Sequence, residues 1–191
     1  MAEVTKFEDY DQYFLVFPFH VDEPVDADNL IENLRKASTD IDVQIVDLDR
    51  IAGRRHLHFA MLNALHTFKR GTNISRTLAV EFLLYTSAQK QISEAIRMVG
   101  VNRNTRNVAV IAVGGSEESI RSFSDKLPSL TNTRSDNALL DHWSQEKIEN
   151  LISTFKISEK EIQAMSGKKT PRGEAIQRLI IERVALLPTR V

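Results

Sequence analysis

Five histidines, His20, His56, His58, His66 and His142, are the first side chains to test for chemistry. A metal-binding helix needs two of them at i and i+4. None is so spaced: His58 and His66 lie two turns apart with Leu62 between them, and no HExxH occurs. His56 heads a helical stretch and is expected either to cap and orient it or to face an anion. A hydrolytic nucleophile needs a base and an orienting acid. There is no GxSxG, and residues 50–80 contain no carboxylate that could partner a histidine locally. Asp47 and Asp49 read as solubilising loop residues. Gly114-Gly115-Ser116 follows a strand-like run, yet it lacks GxGxxG spacing and a Walker lysine. Glu117 and Glu118 moreover occupy the helical turn that a phosphate would need. These failed searches predict a protein that is not an enzyme, with no metal site and no cofactor.

Charge is the stronger signal. Residues 1–49 carry 13 acidic and 3 basic side chains, residues 50–110 carry 2 and 10, and residues 111–191 carry 11 and 12. A formal net charge of −1 therefore conceals a basic block in the middle third. Such a block either pairs with the acidic first third after folding or forms a patch for an anionic partner.

The elements that must carry the block can be read from periodicity. The 191 residues, 42% hydrophobic and 27% charged, suit one compact domain over 1–191, and the absence of cysteine excludes disulfides and thiolate chemistry. Met1–Lys6 shows no basic region followed by an apolar run, so no secretory leader is expected. No apolar stretch is long enough for a bilayer, and a cytoplasmic protein (also nuclear if eukaryotic) with no membrane partner is expected. Residues 1–12 read as a ragged acidic lead-in. Tyr13–Phe17, Val43–Val46 and Val108–Val113 read as strands, the last one central, with one further edge strand placed before Leu140. Pro18 belongs at a strand end or on an edge. Helices are predicted over Asp26–Lys36 with Asp28 as N-cap, over His56–Arg70 stopped by Gly71, and over Leu78–Thr86 capped by Thr77. Ser87 would cap a helix over Gln89–Val99, with Ile92, Ala95, Ile96 and Val99 as its core stripe and Gly100 closing it. A helix over Ser116–Lys126 exits at Pro128. Three helices finish the chain in a helical C-terminal part, 144–191. Ser158 and Glu161 form a capping box for one, and Thr170 with Pro171 opens the last. The fold class is α/β (α+β): a small mixed sheet of about four strands covered by several helices. In the last helix Ile176, Leu179, Ile180, Ile181, Val184, Leu186 and Leu187 exceed a one-sided stripe. Either two sides are buried, or one is left open for another protein; a terminal helix, with few later elements to cover it, favours the open side.

The middle third resembles a known family. Ile51, Gly53 and His56 match an Ile-x-Gly-x-x-His opening, and Arg70, Gly71, Asn73, Ile74 and Arg76 match a basic-Gly-x-Asn-Ile-x-Arg turn. Glu81, Leu83, Leu84, Tyr85, Ser87, Lys90, Gln91, Ile92, Ala95 and Ile96 complete the pattern. It is similar to the KEOPS complex regulatory subunit of the PRPK (kinase)-binding protein family. Ala79 and Ala88 depart from it where proline and glycine are common; Ala88 gives a less permissive backbone at a turn. The resemblance implies a non-catalytic subunit that binds and regulates the complex's small atypical kinase/ATPase. The assembly makes threonylcarbamoyladenosine in tRNA. The resemblance also implies that the subunit binds tRNA, including its 3′ CCA end. Arg54, Arg55, Lys69, Arg70, Asn73, Arg76, Lys90, Gln91 and Arg97 are the expected tRNA-binding residues, since cations neutralise phosphates and amides read splayed bases. Tyr85 is alternatively core, and Asn73 and Gln91 alternatively stabilise turns. Ile176, Leu179, Ile180, Arg183, Val184 and Leu187 are the expected kinase-binding residues. The competing reading is a small-molecule-sensing regulatory α/β domain using the cleft beside Gly114 and Gly115.

Overall fold

The structure is a computed structural model describing residues 3–166 and 170–189. Four strands, β1 (Glu3–Phe7), β2 (Gln12–His20), β3 (Asp42–Asp47) and β4 (Asn107–Gly114), form one sheet in the order β1-β2-β4-β3. The helices before β4 are α1 (Ala27–Ala37), α2 (Gly53–Arg70), α3 (Leu78–Ser87) and α4 (Ile92–Val99). After it come α5 (Glu117–Thr131), α6 (Ala138–Asp141), α7 (Gln145–Phe155), α8 (Glu159–Ser166) and α9 (Arg172–Ala185). The expected α+β architecture is therefore present, with its small sheet and helical C-terminus. Every pairing is antiparallel, so the sheet is not mixed.

Strand β4 lies between β2 and β3, and its period of two feeds two cores. Val108, Val110 and Ala112 join a core with Leu34 of α1 and Ile120, Phe123 and Leu127 of α5. Ala109, Ile111 and Val113 join the larger core with Met61 of α2, Phe82 of α3 and Ile176 of α9. The edge strand is β1, in the lead-in read as ragged, and the segment before Leu140 holds α6 instead. With only Val4 and Phe7 as large apolar residues, one towards each core, β1 lacks a hydrophobic run to announce it. Pairing with β1 stops at Val16. Pro18 opposes Ala109 of β4, and its carbonyl accepts from Asp136 N at 2.8 Å on the side β1 has vacated. The missing N–H thus falls where β2 is locally an edge.

Several boundaries move. Asp26, not Asp28, caps α1, accepting from Asn29 N at 3.1 Å. Ser87 closes α3 rather than opening the next helix, and α4 starts at Ile92. Helix α5 continues through Pro128: Leu127 just before it is buried, and Leu130 beyond it still packs on the core. Pro171 takes the N-cap position expected of Thr170. The capping box forms as expected: Ser158 N donates to Glu161 Oε2 at 2.7 Å, and Glu161 N to Ser158 Oγ at 3.3 Å.

Candidate functional site

Helices α2 and α3 form an antiparallel pair with its two ends fastened differently. At one end His56 is fully buried. Its Nδ1 accepts from Ala52 N at 3.1 Å, so Nε2 carries the proton and donates to Thr86 O at 2.9 Å. One ring satisfies an orphan donor at the start of α2 and an orphan acceptor at the end of α3. Burial depresses its pKa to about 4, against the opposing pull of the Thr86 carbonyl, so the ring is neutral at pH 7. His56 is therefore a cap and does not face an anion. Gly53, three residues earlier, sits at φ +78, where a Cβ would stand 3.0 Å from Gln177 Nε2. That amide donates to Ala52 O at 2.6 Å and ties α9 to the same end. Ile51, Gly53 and His56 are thus scaffold.

At the other end Gly71 (φ 65) stops α2, and Thr72 N donates to Thr67 O at 3.0 Å. The loop that follows is held by one buried carboxylate. Glu81 of α3 accepts from Ile74 N at 3.0 Å, Ser75 N at 2.7 Å and Thr67 Oγ1 at 3.3 Å. Asn73 Nδ2 donates to Ser75 O at 2.8 Å, which makes this amide a turn stabiliser. Leu78 N donates to Asp42 Oδ2 at 2.9 Å, pinning the start of α3 to the sheet. The basic-Gly-x-Asn-Ile-x-Arg…Glu pattern is therefore a loop and its latch. In the sequence Glu81 is one position of the family pattern; its role as the latch follows from its bonds to Ile74 and Ser75, seven and six residues earlier.

The nine residues expected at RNA fall into three groups. Lys69, Arg70, Asn73 and Arg76 surround the latched loop. Arg54 and Arg55 open α2 at the opposite end, and Lys90, Gln91 and Arg97 belong to the α3–α4 turn and α4. The ten residues of α3 separate the loop from Lys90 by roughly 15 Å at ~1.5 Å per residue. Within the loop group, Arg70 and Arg76 are exposed. Lys69 Nζ donates to Asp9 O at 2.8 Å and stands 5.3 Å from the Tyr10 ring centroid, so it also anchors the N-terminal turn. Arg70 Nη1 donates to His66 Nε2 at 3.3 Å, and His66 Nδ1 meets Tyr10 Oη at 3.2 Å. Elsewhere Arg54 Nε lies 3.7 Å from Asp141, and Arg97 bonds Glu94 at 2.6 Å. Gln91 holds the N-cap position of α4 without a side-chain capping bond. Tyr85 is core.

Apolar exposure appears where sequence reading put core. Ile92 and Ile96 are 46% and 53% exposed, and Ala95, Met98 and Val99 alone bury α4. A short helix needs only a narrow stripe, and Ile92 and Ile96 are neighbours at i and i+4 on its outer face. Ile74, at the latched loop, is 49% exposed. The C-terminal helix differs in the opposite sense. Ile176, Leu179, Ile180, Val184 and Leu187 are all buried, as α9 packs on α2, α3, α7 and α8. The breadth of its stripe comes from burial on two sides, so these five side chains are not an open surface. Arg183 is half-buried and donates to Glu161 at 2.8 Å. Outside this core lie half-buried Ile181 and exposed Leu186.

At Gly114-Gly115 the backbone makes a plain strand-to-helix turn: Ser116 Oγ accepts from Ser119 N at 3.2 Å, and Arg121 bonds Glu117 at 2.7 Å. Among the described residues no three His, Cys, Asp or Glu side chains gather to hold a metal ion, and no helix is long and apolar enough to cross a membrane. No curated protein matches the chain. A family model described as kinase binding protein CGI-121 matches residues 23–187.

Proposed function

The chain belongs to the kinase-binding CGI-121 family, and on that premise we propose that it is the non-catalytic, kinase-regulating subunit of the KEOPS assembly, which makes threonylcarbamoyladenosine in tRNA. In this reading the subunit also holds tRNA, including the 3′ CCA end. The observation that carries the RNA half is the loop latched by Glu81, held at the end of the α2–α3 pair with Arg70, Ile74 and Arg76 exposed. Guanidinium groups there meet phosphates, and Ile74 supplies an apolar surface against which a splayed base packs. Arg70→Glu/Arg76→Glu is expected to weaken tRNA binding about tenfold and to flatten its salt dependence by about one to two counterions. Lys126→Glu on α5, across the sheet, serves as the control. A gel shift at moderate salt reads this; equal retention by both variants removes the loop from the RNA surface.

The kinase half is carried by family membership. With the central stripe of α9 buried, docking falls to its outward side, where Ile181 and Leu186 sit beside Glu182. Leu186→Asp leaves the core intact and is expected to reduce kinase co-purification at least about tenfold, as loss of a buried interface anchor does. Undiminished recovery at matched expression moves the interface off α9.

A further inference from the structure

A second cationic site lies at the opposite end of the α2–α3 pair from the loop. Four cations from four separate elements line one cleft of about 440 Å³: Arg50 after β3, Arg97 of α4, Lys156 at the end of α7 and Arg183 of α9. Among the described residues Glu94 is the one carboxylate that lines it, and it answers Arg97. The guanidinium groups are fixed in place. Arg50 Nη1 donates to Thr154 Oγ1 at 3.1 Å, and Arg183 is tied to Glu161 and to Leu179 O at 3.3 Å. Fixed guanidinium forks are the preorganised form of a phosphate site, because little rotamer entropy remains to be lost on binding. Met98 and Phe155 add an apolar wall, and the volume falls in the ~300–1,000 Å³ range of small-ligand pockets. Like charges gathered in a concave site repel each other and raise the local anion concentration.

We infer that this cleft is a phosphate-binding site for a ligand of mononucleotide size. Arg50 and Lys156 lie outside the residues assigned above to RNA and to the kinase, and the inference stands apart from the loop surface. The shared chemistry is a phosphate ester, which either a free nucleotide or an RNA backbone can supply.

The test uses the full chain, with AMP and inorganic pyrophosphate as probes, adenosine as the uncharged control, and tRNA as the second arm. Lys156 occupies a left-handed backbone position (φ 51), so Lys156→Gly removes the charge without straining the fold. Arg97→Glu is a second, exposed variant. AMP and pyrophosphate are expected to bind by calorimetry while adenosine does not, and Lys156→Gly is expected to weaken both about tenfold, the size of one charge-assisted hydrogen bond. If AMP fails to bind but Lys156→Gly and Arg97→Glu each lower tRNA affinity, the phosphate arrives on RNA. If neither probe binds and tRNA affinity is unmoved in both folded variants, the site is overturned. These outcomes leave the Arg70/Arg76 result untouched, so the two assignments fail separately.

Discussion

Glu81→Gln lowers stability by about 2–4 kcal/mol and releases the 72–77 loop, as expected when a buried charged acceptor loses its charge. The carboxylate is fully buried and faces only donors: two backbone N–H groups of the loop and the Thr67 hydroxyl. Glutamine has the same shape, yet it replaces one acceptor by an NH₂ group that points at N–H donors. Those donors have no alternative inside the protein. The loss therefore divides between the core, where α3 packs, and the loop, which frays. Urea denaturation measures the first. Amide hydrogen exchange at Ile74 and Ser75 measures the second and should accelerate beyond the global change. On the proposed function, tRNA binding weakens while kinase recovery from the still-folded variant is maintained. A Glu81→Gln protein with wild-type stability and unaltered exchange at Ile74 and Ser75 contradicts the latch.

Acidification strikes the other end of the same helix pair. The folded pKa of His56 is depressed to about 4 from 6.5 by burial. Between those values the unfolded chain binds a proton that the folded chain refuses, so stability falls as pH drops through that window. The full shift corresponds to ~3 kcal/mol, and about 2 kcal/mol of it is lost between pH 7 and pH 5. Glu161 acts lower. Its pKa is held at about 2 by the Ser158 backbone and hydroxyl and by Arg183, so its contribution is present at neutral pH and disappears as pH falls from 4.5 towards 2. The windows separate the two groups. His56→Phe keeps ring volume but leaves Ala52 N–H and Thr86 C=O unpaired, costing about 2–4 kcal/mol at pH 7. The variant should also lose about 2 kcal/mol less than the parent on going from pH 7 to pH 5. Urea midpoints at the two pH values decide it, and an identical pH response in both proteins removes His56 as the cause.

Both groups explain how far the sequence was legible. A continuous apolar run announced β4, an apolar stripe α2, a dense apolar stretch α3 and a Ser-x-x-Glu pair the start of α8, because each is specified within a few neighbouring residues. The β1 strand was not, since pairing with β2 rather than its own composition makes it a strand. The central basic block was legible as charge, but its division into separate groups depends on the antiparallel course of α2 and α3, which the His56–Thr86 contact fixes. Ile92 and Ile96 illustrate the limit of periodicity: amphipathic spacing identifies a stripe and cannot say whether anything covers it. The α9 stripe illustrates the converse, because helices α2, α3, α7 and α8 close over it. Ala88 behaves as its departure from the family pattern implied. It takes φ 52 at the end of α3, and its N–H satisfies the last carbonyls there.

The most direct measurement is tRNA affinity of the kinase-bound subunit, with intact tRNA and tRNA lacking CCA, for the parent and the Arg70→Glu/Arg76→Glu variant. Kinase recovery should be equal for both proteins. The parent should bind truncated tRNA more weakly, and the variant should bind both RNAs at a similarly reduced level, about tenfold below the parent with intact tRNA. Equal tRNA affinity in parent and variant, with kinase recovered alike, contradicts the claim that the Glu81-latched loop presents this protein's RNA surface.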